Sequence, residues 1–371
     1  MAWALRPASP CSRWCRRAFP YSAITINGTK GGLVFDASRQ SLYTANKSQQ
    51  AVNRFTFNGS GWDLATAAVP DIDAVALAPD GATLVATSTS NGIVLLDPAT
   101  LAVRGNYGPA PVRGDFLNGL QRLAITNDGR AYFQGGTVRA TVPYFDLVRR
   151  EFGELERDPD GYFYNGPWFS ISGDGARLNI VQSDVLSDRM LYLDSADRVP
   201  RMNPAGIKYW YEAAQSLRGE RFVEGTERVF DRDFDIVGNL ALPDPYYYGR
   251  TPVAAPDGTR VYLMAYSADA LHGGTDKPRV YVFDSSRRVA VGTALPLLGY
   301  FTLPDYPTCR TDTSYCDTRA LGTIGPDGKT LFFLGSTTLI VAPIPAVLDQ
   351  AQTAPAGLGA ARKVQAVRLK R

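Results

Sequence analysis

A short turn motif recurs along the chain, and it limits more than any other feature what the chain can fold into. The motif is an Asp-Gly pair, or a close variant of it, followed by a short apolar run. Glycine supplies the positive φ angle that a tight hairpin requires, so each copy predicts two strands joined by a turn. The seven copies are FDASRQSLYTAN (35–46), APDGATLVAT (78–87), TNDGRAYFQG (126–135), SGDGARLNIV (172–181), SLRGERFVEG (216–225), APDGTRVYLM (255–264) and GPDGKTLFFLG (325–335).

The copies are regularly spaced, with one longer interval. The turn positions Asp36, Asp80, Asp128, Asp174, Arg218, Asp257 and Asp327 are separated by 44, 48, 46, 44, 39 and 70 residues. An apolar run that ends in Asp and leads into a second turn follows five of them: VLLDPATLAV (94–103), YFDLVRREF (144–152), LYLDSADRV (191–199), VFDRDFDIV (229–237) and YVFDSSRRVAV (281–291). Four strands in about 40–45 residues form the blade of a β-propeller. The prediction is an all-β, seven-bladed β-propeller with four-stranded antiparallel blades.

The repeats resemble those of seven-bladed propellers built from YVTN-type and PD40-type (WD40-like) repeats. In that pattern a Pro-Asp-Gly turn precedes one strand, and a later apolar run ends in Asp. The resemblance implies the propeller fold and leaves the activity open, because such propellers include surface and periplasmic binding proteins as well as lactonase-like enzymes. A Trp-Asp dipeptide of the WD40 type occurs only at Trp62-Asp63, which disfavours that subfamily.

A closed ring requires the last blade to borrow a strand. Blade 7 supplies three predicted strands of its own, near 319–324, 330–335 and 337–342. We expect the fourth from SAITIN (22–27). The alternative donor is VQAVRLK (364–370), but the preceding AQTAPAGLGAAR (351–362) has the composition of a linker.

The expected domain organisation has three parts. Residues 1–20 are a disordered or non-native leader, residues 21–347 form the propeller, and residues 348–371 form a linker or tail. The leader does not resemble a secretory signal, since Arg6 and Pro7 interrupt its apolar stretch. An exiting linker would fit a fragment of a larger multidomain protein.

Charge and composition disfavour several classes of function. The chain carries 39 Lys and Arg against 36 Asp and Glu, a net charge of +3, so no nucleic-acid partner is predicted. No apolar run approaches 18 residues, which predicts no transmembrane helix. The single histidine makes a zinc site improbable, and no cofactor is predicted.

Cys309 and Cys316 either form a disulfide or remain two thiols. A disulfide, together with the fold type, would favour an extracellular or periplasmic location.

The predicted functional surface lies at one end of the ring. The short Asp-led turns belong to one face, and every long segment falls on the opposite one, which we call the loop-rich face. Aromatic side chains there offer contact area at low entropic cost. The predicted binding residues are Tyr164, Trp168, Tyr209, Trp210, Tyr211, Tyr246, Tyr247, Tyr248 and Tyr315.

The favoured function is a non-enzymatic binding or scaffold module that recognises a protein, peptide or glycan through this face. The alternative is a lactonase-like propeller hydrolase, which would use carboxylates, arginines or a divalent metal at the central channel. Arg122, Arg250 and Arg319 are the candidates at the channel mouth, where an ion pair is the simpler role. A purely structural domain is a third interpretation. No catalytic residue is predicted.

Three motif-like stretches carry no function in this interpretation. GPDGKT (325–330) resembles a phosphate-binding loop, but that motif requires glycine where the chain has Thr323. LHGGTD (271–276) has no GxSxG nucleophile to accompany it. RDPDGYFYNG (157–166) lacks the register of a calcium loop.

Overall fold

The computed structural model describes residues 19–26, 28–108, 122–134, 142–155, 168–181, 190–203, 213–267, 269, 275–307 and 320–349. Within these ranges 28 strands form seven four-stranded sheets, each of them one blade of a propeller. The same residues contain no helix that is long and apolar enough to cross a membrane.

The first four blades follow one another along the chain. Blade 1 consists of β2 (Lys30–Asp36), β3 (Ser41–Asn46), β4 (Ala51–Phe57) and β5 (Trp62–Ala68). Blade 2 consists of β6 (Ile72–Leu77), β7 (Leu84–Ser88), β8 (Gly92–Leu96) and β9 (Val103–Tyr107). Blade 3 consists of β10 (Leu123–Ile125), β11 (Arg130–Phe133), β12 (Pro143–Asp146) and β13 (Glu151–Glu154). Blade 4 consists of β14 (Trp168–Ile171), β15 (Arg177–Val181), β16 (Met190–Asp194) and β17 (Arg201–Met202).

The remaining blades complete the ring. Blade 5 consists of β18 (Ala213–Gln215), β19 (Arg221–Glu224), β20 (Arg228–Asp231) and β21 (Ile236–Asn239). Blade 6 consists of β22 (Tyr247–Ala254), β23 (Arg260–Ser267), β24 (Arg279–Asp284) and β25 (Leu297–Thr302). Blade 7 consists of β26 (Leu321–Ile324), β27 (Thr330–Leu334), β28 (Thr338–Pro343) and, as its outer strand, β1 (Ser22–Thr25). The predicted fold and blade count are confirmed.

The recurring turns are the hairpins between the first and second strands of the blades. Six of them place a glycine at positive φ: Gly81, Gly129, Gly175, Gly219, Gly258 and Gly328. Gly219 keeps φ +73 even though Arg218 replaces the usual aspartate. The aspartates cap the turns from within; Asp257 Oδ1, for example, accepts a hydrogen bond from the Thr259 backbone nitrogen at 3.0 Å. The recurring motif therefore marks a tight hairpin in each blade, as predicted.

The first strand of each blade lies innermost. Each first strand contacts the first strands of the blades on either side, so these strands close a ring around the channel. Buried apolar side chains fill the interfaces between blades, with one cluster for each of the seven neighbouring pairs. The core of the protein is therefore a set of inter-blade layers arranged around the axis.

The chain closes the ring with its N-terminal strand. β1 pairs antiparallel with β28, with Ser22 opposite Val341 and Thr25 opposite Thr338. Lys30 secures this junction from inside, because its Nζ donates hydrogen bonds to the carbonyl oxygens of Ile26 (2.5 Å), Gly28 (2.5 Å) and Ser336 (2.6 Å). The closing strand predicted at 22–27 is thus found, whereas 364–370 lies outside the described residues.

Candidate functional site

The strand order assigns every connection to one of two faces. Turns between first and second strands and between third and fourth strands share one end of the ring, which we call the short-turn face. Much of the loop-rich face falls outside the described residues, and with it Tyr164, Tyr209, Trp210, Tyr211, Tyr315, Arg319, Cys309 and Cys316. Trp168 begins β14, but its side chain is not among the described ones. The roles of these residues stay predictions.

The described part of the predicted aromatic surface is a tyrosine cluster on blade 6. Tyr246 precedes β22 and is 71% exposed, and Tyr248 within β22 is 48% exposed. Alternation along the strand directs the residue between them to the other side. Tyr247 is only 6% exposed and packs in the layer between blades 5 and 6. Its buried position differs from the surface position expected from the sequence.

A stack of rings around one guanidinium group holds Tyr247 in place. The Arg279 guanidinium carbon lies 4.2 Å from the centre of the Tyr247 ring and 4.8 Å from that of Tyr300. Arg279 Nη1 also donates to Asp244 Oδ2 at 3.4 Å. Burial raises the pKa of Tyr247 to about 12, and its hydroxyl donates to the Lys277 carbonyl oxygen at 3.2 Å. These contacts hold the ring of Tyr247, which separates the two exposed tyrosines along the chain.

A second aromatic pair extends this cluster toward blade 7. The rings of Tyr266 and Tyr306 stack with their centres 6.3 Å apart. Lys277 Nζ lies 5.2 Å from the centre of the Tyr306 ring, and the Tyr306 hydroxyl donates to the Asp276 carbonyl oxygen. We define the blade 6 tyrosine surface as Tyr246, Tyr248, Lys277, Arg279 and Tyr306.

A buried charge cluster occupies the loop-rich mouth of the channel at blades 1 to 3. Asp73 Oδ1 accepts hydrogen bonds from Arg122 Nη1 at 2.9 Å and from Lys47 Nζ at 2.5 Å. Asp73 and Arg122 are each 2% exposed. Arg122, predicted at the channel mouth, is thus held in a buried ion pair. The sequence did not single out Asp73 or Lys47.

Backbone bulges position the charged groups at this mouth. The first strands of blades 1, 2 and 6 shift register at Gly32, Asp73 and Arg250. A bulge redirects the side chain of the extra residue. Close approach of blades 1 and 2 depends on glycine, since a Cβ on Gly31 would lie 1.8 Å from the Asp73 carbonyl oxygen. The Gly31-Gly32 pair at a strand start is the sequence signal that could have pointed to this site.

Arg250, another candidate at the channel mouth, differs from Arg122 in its surroundings. Arg250 is half-buried, and its Nε has no hydrogen-bond partner among the described residues. Those residues also bring together no group of three or more His, Cys, Asp or Glu side chains that could hold a metal ion. Among the described residues, the charged groups at the channel mouth form ion pairs with Asp73 or, for Lys30, hydrogen bonds to carbonyl oxygens.

Comparison with known proteins finds the fold and no family. No family model matches the chain, and no curated protein matches it. Among solved structures, a chain of the mitotic checkpoint complex aligns with a TM-score of 0.60 at 12% identity, covering 93% of this chain and 98% of that one. The Cps50 (Swd1) β-propeller domain of Myceliophteria thermophila gives 0.57 at 11%, covering 88% and 100%.

A third similar structure comes from an enzyme. A chain of hydrazine synthase from Kuenenia stuttgartiensis aligns with a TM-score of 0.56 at 16% identity, covering 85% of this chain and 97% of that one. Identities this low support the shared fold alone. Because neighbours of the same fold include a synthase chain and a member of a protein complex, the fold does not choose between binding and catalysis.

Proposed function

We propose that this protein is a non-enzymatic binding module that recognises a protein or peptide through the blade 6 tyrosine surface. The observation that carries the proposal is the pair of exposed tyrosines, Tyr246 and Tyr248, which flank the buried Tyr247 at the start of β22. Large rings offer contact area at a low cost in side-chain entropy when a partner covers them.

The charges around the tyrosines support a protein or peptide partner. Lys277 and Arg279 lie beside Asp244 and Asp276, so cations and carboxylates alternate at the rim. A rim of both signs around aromatic anchors is typical of protein interfaces. A glycan, which also stacks on tyrosine rings, is the competing ligand class that the experiment separates.

The test begins with affinity capture by the full chain, followed by measurement of the dissociation constant for each purified candidate. Each of Tyr246→Ala and Tyr248→Ala should raise the dissociation constant about tenfold, which corresponds to about 1.4 kcal/mol. Val148→Ala is the matched control, since Val148 is 79% exposed on the short-turn face.

Unchanged affinity in the Tyr246→Ala/Tyr248→Ala double variant would remove this surface from the proposal. Binding on a glycan array that the double variant loses, without any captured protein, would replace the protein partner by a glycan. Tyr247→Ala is unsuitable as a probe because the residue is buried and its loss should destabilise blade 6.

Three finer assignments accompany the proposal. They are the YVTN or PD40 repeat type, an extracellular or periplasmic location, and membership of a larger multidomain protein. The support is the Pro-Asp-Gly turn pattern for the first, the fold type and the Cys309–Cys316 spacing for the second, and the linker-like composition of 351–362 for the third.

A further inference from the structure

An arginine recurs at one position of the repeat. In four blades an arginine at the start of the second strand pairs across the sheet with the aspartate that ends the third: Arg130 with Asp146, Arg177 with Asp194, Arg221 with Asp231, and Arg260 with Asp284. The Arg221 guanidinium forms a hydrogen bond with the next blade, in which its Nε donates to the Ser285 carbonyl oxygen at 2.9 Å. Arg177 lies at the seam between blades 4 and 5.

The Arg177 side chain is largely buried, and among the described residues its guanidinium is paired with a carboxylate only through a long ion pair to Asp194. Its side chain is 6% exposed, and the nearest carboxylate oxygen, on Asp194, lies 3.8 Å away. The guanidinium carbon sits 4.4 Å from the centre of the Tyr192 ring and 5.0 Å from that of Phe234. Rings that cover the faces of a guanidinium leave its N–H edge available for an acceptor.

Two side chains with unpaired polar atoms lie in the same seam. Asn179, two residues along β15 and thus on the same side of the strand, is 0% exposed, and neither Oδ1 nor Nδ2 has a partner among the described residues. Gln215 of blade 5 donates from Nε2 to the Ser170 carbonyl oxygen at 2.5 Å, but its buried Oε1 has no partner. Leaving such groups unsatisfied costs about 1–3 kcal/mol each, so a group that hydrogen-bonds to them would stabilise the seam.

A glycine keeps space between these side chains. A Cβ on Gly219 would lie 3.3 Å from Arg177 Cδ and 3.5 Å from Gln215 Oε1. The seam also has the smallest apolar layer among the described residues, with only four buried members: Met190, Phe222, Phe230 and Phe234. Polar groups take the place that apolar packing has at the other interfaces.

We propose that the seam formed by Arg177, Asn179 and Gln215 binds a phosphate group in its hydrogen-phosphate form. The guanidinium edge and the Asn179 amide supply donors for the anionic oxygens. Gln215 Oε1 is an acceptor only, and it suits the P–OH hydrogen that phosphate keeps near neutral pH and sulfate lacks.

The charges nearby are compatible with an anion. Arg177 shares Asp194 with Arg232. Arg232 Nη2 donates to Asp194 Oδ1 at 2.8 Å, whereas Arg177 Nη1 lies 3.8 Å from the same oxygen. Asp233, in the turn that follows β20, is exposed to solvent. Burial lowers the pKa of Arg177. A bound anion would favour its charged form.

The experiment measures the unfolding midpoint of the full chain as inorganic phosphate is added at low millimolar concentration, with sodium chloride holding the ionic strength constant. The midpoint should rise with phosphate and saturate, and sulfate should have a much smaller effect. Arg177→Gln and Asn179→Leu should each abolish the rise. Arg221→Gln is the matched control, because it removes the equivalent arginine one blade further on and should leave the phosphate response intact.

A crystal soaked in phosphate should show a tetrahedral group between Arg177 and Asn179. Ordered water alone at that place, or equal midpoint shifts in the wild type and Arg177→Gln, would overturn the proposal. If Arg177→Gln does not fold, Asn179→Leu decides, since it removes both unpaired atoms at nearly constant volume. A parallel titration with glycerol 3-phosphate distinguishes free phosphate from a phosphate monoester as the ligand.

Discussion

Lys30 and Arg122 are two buried cations at the loop-rich mouth. Backbone carbonyl oxygens are the partners of Lys30, and the Asp73 carboxylate is a partner of Arg122. Lys30 is 4% exposed and donates to three carbonyl oxygens, whereas Arg122 and Lys47 share Asp73. Buried charges are tolerated only where such partners are in place. These residues therefore act on stability first, and each gives a separate prediction.

Asp73→Asn should destabilise the protein by about 3–5 kcal/mol, because it removes the carboxylate from between two cations. Urea unfolding measures the change. The double variant Asp73→Asn/Arg122→Met should lose less than the sum of the single variants. Asp97→Asn is the control, since its partner Arg104 is 49% exposed and a surface pair contributes only about 0–1 kcal/mol. Equal losses in both variants would contradict the importance of the buried pair.

Lys30 should make stability depend on pH. Burial lowers its pKa from 10.5 to about 8. Between these values the unfolded chain holds more protons than the folded one, so the free energy of unfolding rises as pH increases through this window. Relative to Lys30→Met, the wild type should gain about 1–3 kcal/mol between pH 8 and 10.5. A constant difference would mean that the hydrogen bonds to the three carbonyl oxygens raise the Lys30 pKa as much as burial lowers it. A difference of opposite sign would mean that they raise it more.

Residue-level placement was only partly predictable from the sequence. Tyr246 and Tyr248 were expected on the surface and lie there, but Tyr247 between them is buried because strand alternation continues into the apparent loop. The partner of Arg122 could not be found, since Asp73 is 49 residues away and belongs to another blade. The unpaired polar atoms of Asn179 and Gln215 could not be predicted, since they depend on what faces them across the seam.

At the scale of the elements, the first strands of blades 1 and 2 show how closely the ring is packed. Gly31→Ala should destabilise the protein by about 2–4 kcal/mol, because the new Cβ would overlap the Asp73 carbonyl oxygen at 1.8 Å and the backbone must move. Thermal or urea unfolding measures the effect.

Gly61→Ala is the matched control for this change. No atom lies within 4 Å of the position that the new Cβ would occupy, and the turn is exposed, so the stability should change by less than about 0.5 kcal/mol. Similar losses at Gly31 and Gly61 would show that the approach of the two blades is looser than these contacts indicate.

Elements were the most predictable level of the structure. The Asp-Gly turns require a conformation that few residues adopt, so they locate each hairpin from sequence alone. The same reasoning placed the strands of blade 7 near 319–324, 330–335 and 337–342, and they lie at Leu321–Ile324, Thr330–Leu334 and Thr338–Pro343. The register shifts at Asp73 and Arg250 had no comparable signal, and only the Gly31-Gly32 pair hinted at the shift at Gly32.

At the scale of the whole molecule, the seams between blades are unequal. The layer between blades 6 and 7 contains 14 buried apolar residues, and that between blades 4 and 5 contains four, counting described residues in both. Apolar burial is the main stabilising contribution to such layers. We therefore expect the ring to open most readily between blades 4 and 5.

Hydrogen exchange measured by mass spectrometry can locate that opening. Amides of β14, β18 and β19 should exchange faster than those of β7, β23 and β27 in native buffer. If the seam binds phosphate, adding phosphate should slow exchange in the first group alone. Uniform exchange across all seven blades, or fastest exchange between blades 6 and 7, would contradict the expected order.

Ring closure by β1 has a consequence for synthesis on the ribosome. β1 is the first of the described strands to be made, yet its partner β28 begins only at Thr338, so at about 5–20 residues per second it waits tens of seconds without a neighbour. An unpaired strand edge invites pairing with other chains. With four residues, of which Ala23 and Thr25 are exposed, β1 offers such chains little template before its own blade arrives.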